Sequence, residues 1–310
     1  MDQSAAESSQ ASVPSSNAAL APAALIPAPT RREPCPTCGS PPVSTEMSTP
    51  HASSIDWVYA IGRIDARFPR ISVDKEFLQA AARMPGTSGL NDTQLRHQVL
   101  SEDENNYLLR QLCWVFTVHG LDTYILTPRD SADLRLLAQT VRQDPGPGDL
   151  DIVIGMKGPP APPHMCNGLV VPIVFFDQIY SFDRDALIKE LPKPDTADAK
   201  TFHKAAANLF DQLRLLSENM GTSSGARACN YLTARYPRLY HAYAEALARD
   251  ESLSAVDVRR SSLSGSREIV DVVFSFTNRR TDVVSKQFVR VDVSDEFPFL
   301  VTKMSPYFDC

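Results

Sequence analysis

Phe288-Val289-Arg290-Val291-Asp292-Val293 sets valines against charged side chains at every second position. In a strand, successive side chains point to opposite faces, so this pattern predicts a sheet with one apolar and one wet face. Residues 255–258, 269–276 and 299–303 share its β-branched and aromatic character and predict neighbouring strands. Upstream the period changes. Over residues 198–219, Phe202, Leu209, Phe210, Leu213 and Leu216 fall on one helical face. Helices over 226–235 and 239–249 follow, separated by Pro237, and a short helix over 183–191 precedes the Pro192/Pro194 break. Helices and strands occur in runs and do not alternate strictly. The fold class is therefore α+β, with mixed or antiparallel sheets and a helical segment in the second half.

The first half opens on Trp57-Val58-Tyr59-Ala60-Ile61-Gly62-Arg63-Ile64, a β-branched and aromatic strand. Helices are predicted over 74–84, with Ser72 or Asp74 as cap, over 91–100, with Asn91 or Asp92 near the cap, and over 103–110. Residues 113–118 and 123–126 flank His119-Gly120 and read as a hairpin. A helix over 131–142 stops at Pro145-Gly146-Pro147-Gly148, and strands follow over 151–156 and 169–176. Between those strands, Gly158-Pro159-Pro160-Ala161-Pro162-Pro163 predicts a stiff surface loop of polyproline character. Residues 55–195 and 196–310 are expected to form two parts of one compact unit.

Residues 1–54 are rich in Ser, Ala and Pro and nearly free of aromatics, which predicts a disordered tail. Near its end lies Cys35-Pro36-Thr37-Cys38-Gly39, spanning 35–39. Prolines around it oppose the helix that a thioredoxin-type dithiol needs, whereas Pro and Gly shape a knuckle presenting two thiolates to zinc. Tetrahedral zinc takes four ligands and this motif supplies Cys35 and Cys38. The missing pair would come from Cys166, Cys229, His164 or Cys310, or from the same motif of a second subunit, making zinc a structural clasp of a homodimer.

Of the residues, 43% are hydrophobic and 22% charged, and the formal net charge is −6. A mildly acidic chain without a long Lys/Arg run lacks the electrostatic footprint of a nucleic-acid or anionic-membrane binder. No apolar run is long enough to cross a bilayer, and the N-terminus lacks the basic start of a secretory signal. Six unevenly spaced cysteines do not make the paired framework of a small secreted domain, so a reducing cytoplasm is the simpler expectation.

Catalytic motifs fare poorly. Gly221-Thr222-Ser223-Ser224-Gly225 matches the nucleophile-elbow letters, but that elbow follows a strand and here a long helix precedes it. The same segment departs from the subtilisin pattern at Gly225 and Arg227, and His119-Gly120 has no supporting acid partner. Protease activity is not expected. His164 and Cys166 stand two apart and are the alternative enzyme site, as a metal-binding or nucleophile pair.

VYAIGRIDARFP (58–69), Glu76-Phe77, RQLCWVF (110–116), residues 122–126, MCNGLVVPIVFFDQIYSF (165–182), NYLTARYP (230–237), VVFSFTNRRTDVV (272–284) and FVRVDVSDEFPFLVTKMSPYF (288–308) together carry a resemblance. On these blocks the chain resembles the C-terminal domain of unknown function of the cyanobactin maturation proteins PatA and PatG. The CPTCG element is similar to one preceding that domain. The resemblance implies a role in making ribosomally synthesised, post-translationally modified peptides. The family's proteolysis and macrocyclisation belong to a separate subtilisin-like domain, which residues 1–54 are too few to hold, and no family catalytic residue is carried over. The expected role is a non-catalytic scaffold or peptide-recognition protein, with a precursor peptide or a peptide-modifying enzyme as partner.

Overall fold

The computed structural model describes residues 55–193, 198–216 and 219–308. The first five strands are β1 (Trp57–Arg67), β2 (Cys113–Val118), β3 (Leu121–Pro128), β4 (Asp149–Pro160) and β5 (Pro172–Asp183). They close a barrel in the order β1-β2-β3-β5-β4. All neighbours are antiparallel except β3 and β5, which run parallel with Ile125 opposite Ile173. This is the Greek-key strand order of the OB-fold.

Helices α1 (Ile71–Arg83), α2 (Asp92–Ser101) and α3 (Asn106–Gln111) fill the β1–β2 connection, and α4 (Leu134–Thr140) fills β3–β4. The predicted cap of α2 forms as a capping box: the Asn91 side chain accepts from the Gln94 N–H and the Gln94 side chain accepts from that of Asn91. Helix α1 begins earlier than predicted, at Ile71, and its N-cap Arg70 gives no side-chain bond. Neither Ser72 nor Asp74 is the cap. The early start lets Val73 join Phe77, Ala80 and Ala81 on the buried face.

The second half adds α5 (Arg184–Glu190), α6 (Ala199–Arg214), α7 (Ser224–Arg235) and α8 (Pro237–Ala248), then β6 (Glu251–Arg260), β7 (Ile269–Asn278), β8 (Val284–Asp292) and β9 (Phe299–Pro306). These four strands form an antiparallel sheet in sequence order. Val289, Val291 and Val293 are buried, as the alternation predicts. The opposite face is less wet than expected: Asp271 meets Arg290 at 2.7 Å, and Asp292, 1% exposed, meets Arg267 at 2.7 Å.

The packing period of β1 explains the layering. Val58 and Ala60 join the core shared by the barrel and α1–α4. Tyr59 and Ile61 face the other way, into a second core with α6–α8 and the inner face of the β6–β9 sheet. A strand buried on both faces reads as the continuous apolar run seen in the sequence.

Candidate functional site

The connection between β4 and β5 is compact. Ala161 N–H donates to the Val171 carbonyl at 2.9 Å, Gly168 N–H to Pro163 at 2.7 Å, and Leu169 N–H to Cys166 at 2.9 Å. Asn167 and Gly168 turn the chain with φ of 47° and 89°. The left-handed region costs Asn less than other L-residues and Gly nothing. Cys166 forms a disulfide with Cys113 at the start of β2, with a Cα–Cα distance of 5.6 Å. Around this bond Val115, Ile125, Ala161 and Ile173 form a small apolar cluster covering the outer barrel wall.

Three expectations change here. Gly158, Pro159 and Pro160 belong to β4, with Pro160 opposite Pro172, so the polyproline loop is in part a strand end. Cys166 is neither the thiolate of a His164/Cys166 enzyme site nor a zinc ligand, because its sulfur is bonded to Cys113. Disulfides are rare under cytosolic redox poise, so this pairing runs against the reducing-compartment expectation.

Beside the pinned loop lies a cleft of about 720 Å³, within the size range of ligand sites. Leu109, Leu112, Trp114, Ile125 and Leu134 contribute its apolar wall. Its polar rim includes Arg70 from the entry to α1, Arg110 from α3, Arg129 after β3, and His164 from the β4–β5 loop. No carboxylate lines it among the described residues. Arg129 is paired with Asp177 at 3.2 Å, whereas the exposed Arg70 and Arg110 side chains have no hydrogen-bond or ion-pair partner among the described residues. The arrangement suits an anionic ligand with apolar groups.

A second cleft of about 630 Å³ lies at the G-T-S-S-G segment. Several of its polar groups already have partners. Ser223 caps α7, accepting from Ala226 N–H at 3.1 Å, and Ser224 donates to Glu268. Arg267 pairs with Asp292, and Arg259 donates to the Tyr307 hydroxyl at 3.1 Å. Ser223 is thus a helix cap and no nucleophile elbow forms. His119 sits in the β2–β3 turn at φ 52°.

Cys35, Cys38 and Cys310 lie outside the described residues. Cys229 is 4% exposed, and burial pushes its thiol up to about 12, which disfavours the thiolate zinc requires. No cluster of three or more His, Cys, Asp or Glu side chains suited to a metal exists among the described residues. The cleft arginines escaped the sequence reading because no shared motif or spacing links Arg70, Arg110 and Arg129.

Residues 196–307 match the family model described as PatG C-terminal. A solved structure described as "PatG Domain of Unknown Function" matches with a TM-score of 0.63 at 19% identity, covering 81% of this chain and 98% of that one. At that identity the likeness is one of fold. No curated protein matches the chain. The chain thus resembles the PatG C-terminal domain, and its fold is α+β as the order of elements predicts. No helix among the described residues is long and apolar enough to cross a membrane.

Proposed function

We propose that this protein is a non-catalytic accessory of ribosomal peptide modification that recognises a precursor peptide or the enzyme acting on it. One observation carries the reading: the PatG C-terminal match over 196–307 is joined to a barrel whose main cleft has an apolar wall and a cationic rim. Apolar contact area with a few placed charges is how peptides are commonly held. Greek-key barrels of this order often bind ligands at the β2–β3 face and the β1–β2 and β4–β5 connections, an analogy of fold that assigns no ligand. Titration of labelled precursor peptides into the purified protein, alongside a reconstituted maturation reaction with and without it, is the direct test. Binding with a change in product yield is expected; no binding to any precursor or modifying enzyme, with unchanged yield, sinks the reading.

The same proposal includes a structural zinc held by Cys35 and Cys38 and completed by the same pair from a second copy. Metal content and solution mass should give one zinc per two chains, and Cys35→Ser/Cys38→Ser should lose both metal and dimer. A fully metallated monomer rejects the clasp.

A further inference from the structure

We infer that the cleft between α1, α3, the β2–β3 strands and the pinned β4–β5 loop is a docking site for an acidic peptide segment that also carries apolar side chains. This deepens the accessory reading and rests on it. The first ground is charge. Arg70 and Arg110 project on the rim without side-chain partners, and no lining carboxylate neutralises them among the described residues. That is local, since the chain as a whole carries a formal net charge of −6. A cationic spot on an acidic protein selects and steers an anionic partner.

The second ground is the wall. The half-buried Pro128 and Met165 offer apolar surface to side chains between the acidic ones, over a floor of buried Leu109, Leu112, Ile125 and Leu134. Single-stranded nucleic acid also carries negative charge, but its binders stack bases on exposed rings. Two lining residues carry rings, and only His164 is exposed enough to take a base; Trp114 is 3% exposed, and its indole N–H donates to the Leu109 carbonyl at 2.9 Å. It presents no free face for stacking.

The third ground is rigidity. The wall bearing His164 and Met165 is anchored by the Cys113–Cys166 bond and by the turn hydrogen bonds of the loop. A preformed wall spares the ordering cost of closing a loop around an extended ligand.

The test is fluorescence anisotropy on the full chain. One labelled probe alternates Glu and Leu, a second replaces Glu with Lys, and a third is a labelled oligothymidylate. The Glu–Leu probe should bind, the Lys–Leu probe should not, and affinity should fall as salt rises. Arg70→Glu/Arg110→Glu should weaken the Glu–Leu probe by about tenfold or more, the scale of losing charge-assisted hydrogen bonds. Arg83→Glu makes the same kind of charge change at the far end of α1, about 20 Å along the helix from Arg70, and should leave binding unchanged. Both rim arginines are exposed, so a matched thermal melt confirms that the double variant folds. The inference is overturned by no binding of the Glu–Leu probe, by equal loss in Arg83→Glu, or by preference for the oligothymidylate. Precursor binding that ignores the Arg70/Arg110 reversal overturns this site while leaving the accessory reading intact. Acidic-probe binding without any precursor binding upholds the site and sinks the accessory reading.

Discussion

Asn230 of α7 donates its side-chain amide to the backbone carbonyl of Tyr59 on β1 at 2.9 Å, although 171 residues separate them. The same backbone unit is met again, since Tyr59 N–H donates to the Gly221 carbonyl at 2.8 Å. β1 pairs with β4 from Trp57 to Gly62 but reaches β2 only from Arg63 onward. One edge of its first half is therefore open, and residues 219–230 of the second half satisfy it. Asn219 supports the arrangement by donating to the Asn230 side-chain oxygen at 2.7 Å.

Removing that amide should be costly. Asn230 is 1% exposed, so Asn230→Ala leaves the Tyr59 carbonyl and the Asn219 amide without their partner in a buried place. The expected loss is about 2 kcal/mol, the scale for stranding a buried polar group, read from the shift of a urea unfolding curve. An unchanged midpoint would show that water or a rearranged side chain replaces the bond.

Gly221 is held to glycine by two independent constraints. Its φ is +78°, and a Cβ there would lie 2.5 Å from the Tyr59 carbonyl oxygen and 2.7 Å from the Ala60 Cα. Gly221→Ala should cost at least about 2 kcal/mol, more than the roughly 1 kcal/mol expected for loss of the neighbouring cap in Ser223→Ala. Equal losses for the two variants would contradict the close approach.

The disulfide ties β2 to the β4–β5 connection across a sequence separation of 53. Closing a loop of that length in the unfolded chain corresponds to about 4 kcal/mol in the chain-entropy picture. Cys113→Ala/Cys166→Ala should lose stability of that order under oxidising conditions and be insensitive to dithiothreitol, whereas the parent protein should soften on reduction. A parent unfolding curve that reductant does not move would show that the bond adds no stability.

Glu296, in the β8–β9 connection, should give the protein a pH-dependent stability. Burial, and next the neighbouring Asp177 carboxyl on β5, raise its pKa from 4.5 to about 7; Arg129 after β3 and Arg227 of α7 oppose the shift. The folded state thus holds a proton that the unfolded state releases. The stabilising contribution is full below 4.5 and is lost as pH rises through about 7. Glu296→Gln removes this titration, so its stability relative to the parent should increase across that window. Parallel stability profiles for the two proteins would remove Glu296 as the source.

Much of the secondary structure was legible because local pattern reports local burial. The alternation at 288–293 located β8, the β-prone runs around His119-Gly120 located the β2–β3 hairpin, and Asn91 capped its helix as its side-chain chemistry suggests. Boundaries shifted where distant neighbours intervened. β4 runs on through Pro160 because Pro172 of β5 lies opposite it, and nothing within 158–163 records that partner.

By itself the sequence determined the fold class, the succession of strands and helices, and the absence of a convincing elbow at Gly221–Gly225. Periodicity and cap chemistry act over a few residues and can be read along the chain. Only the tertiary structure decided that β3 runs beside β5, that Cys113 rather than a metal takes Cys166, and that Gly221 fills an open strand edge. It alone assembled the cleft, whose rim draws Arg70, Arg110, Arg129 and His164 from four separate segments. These are consequences of long-range pairing, in which the burial and charge of a side chain depend on neighbours that no local spacing encodes.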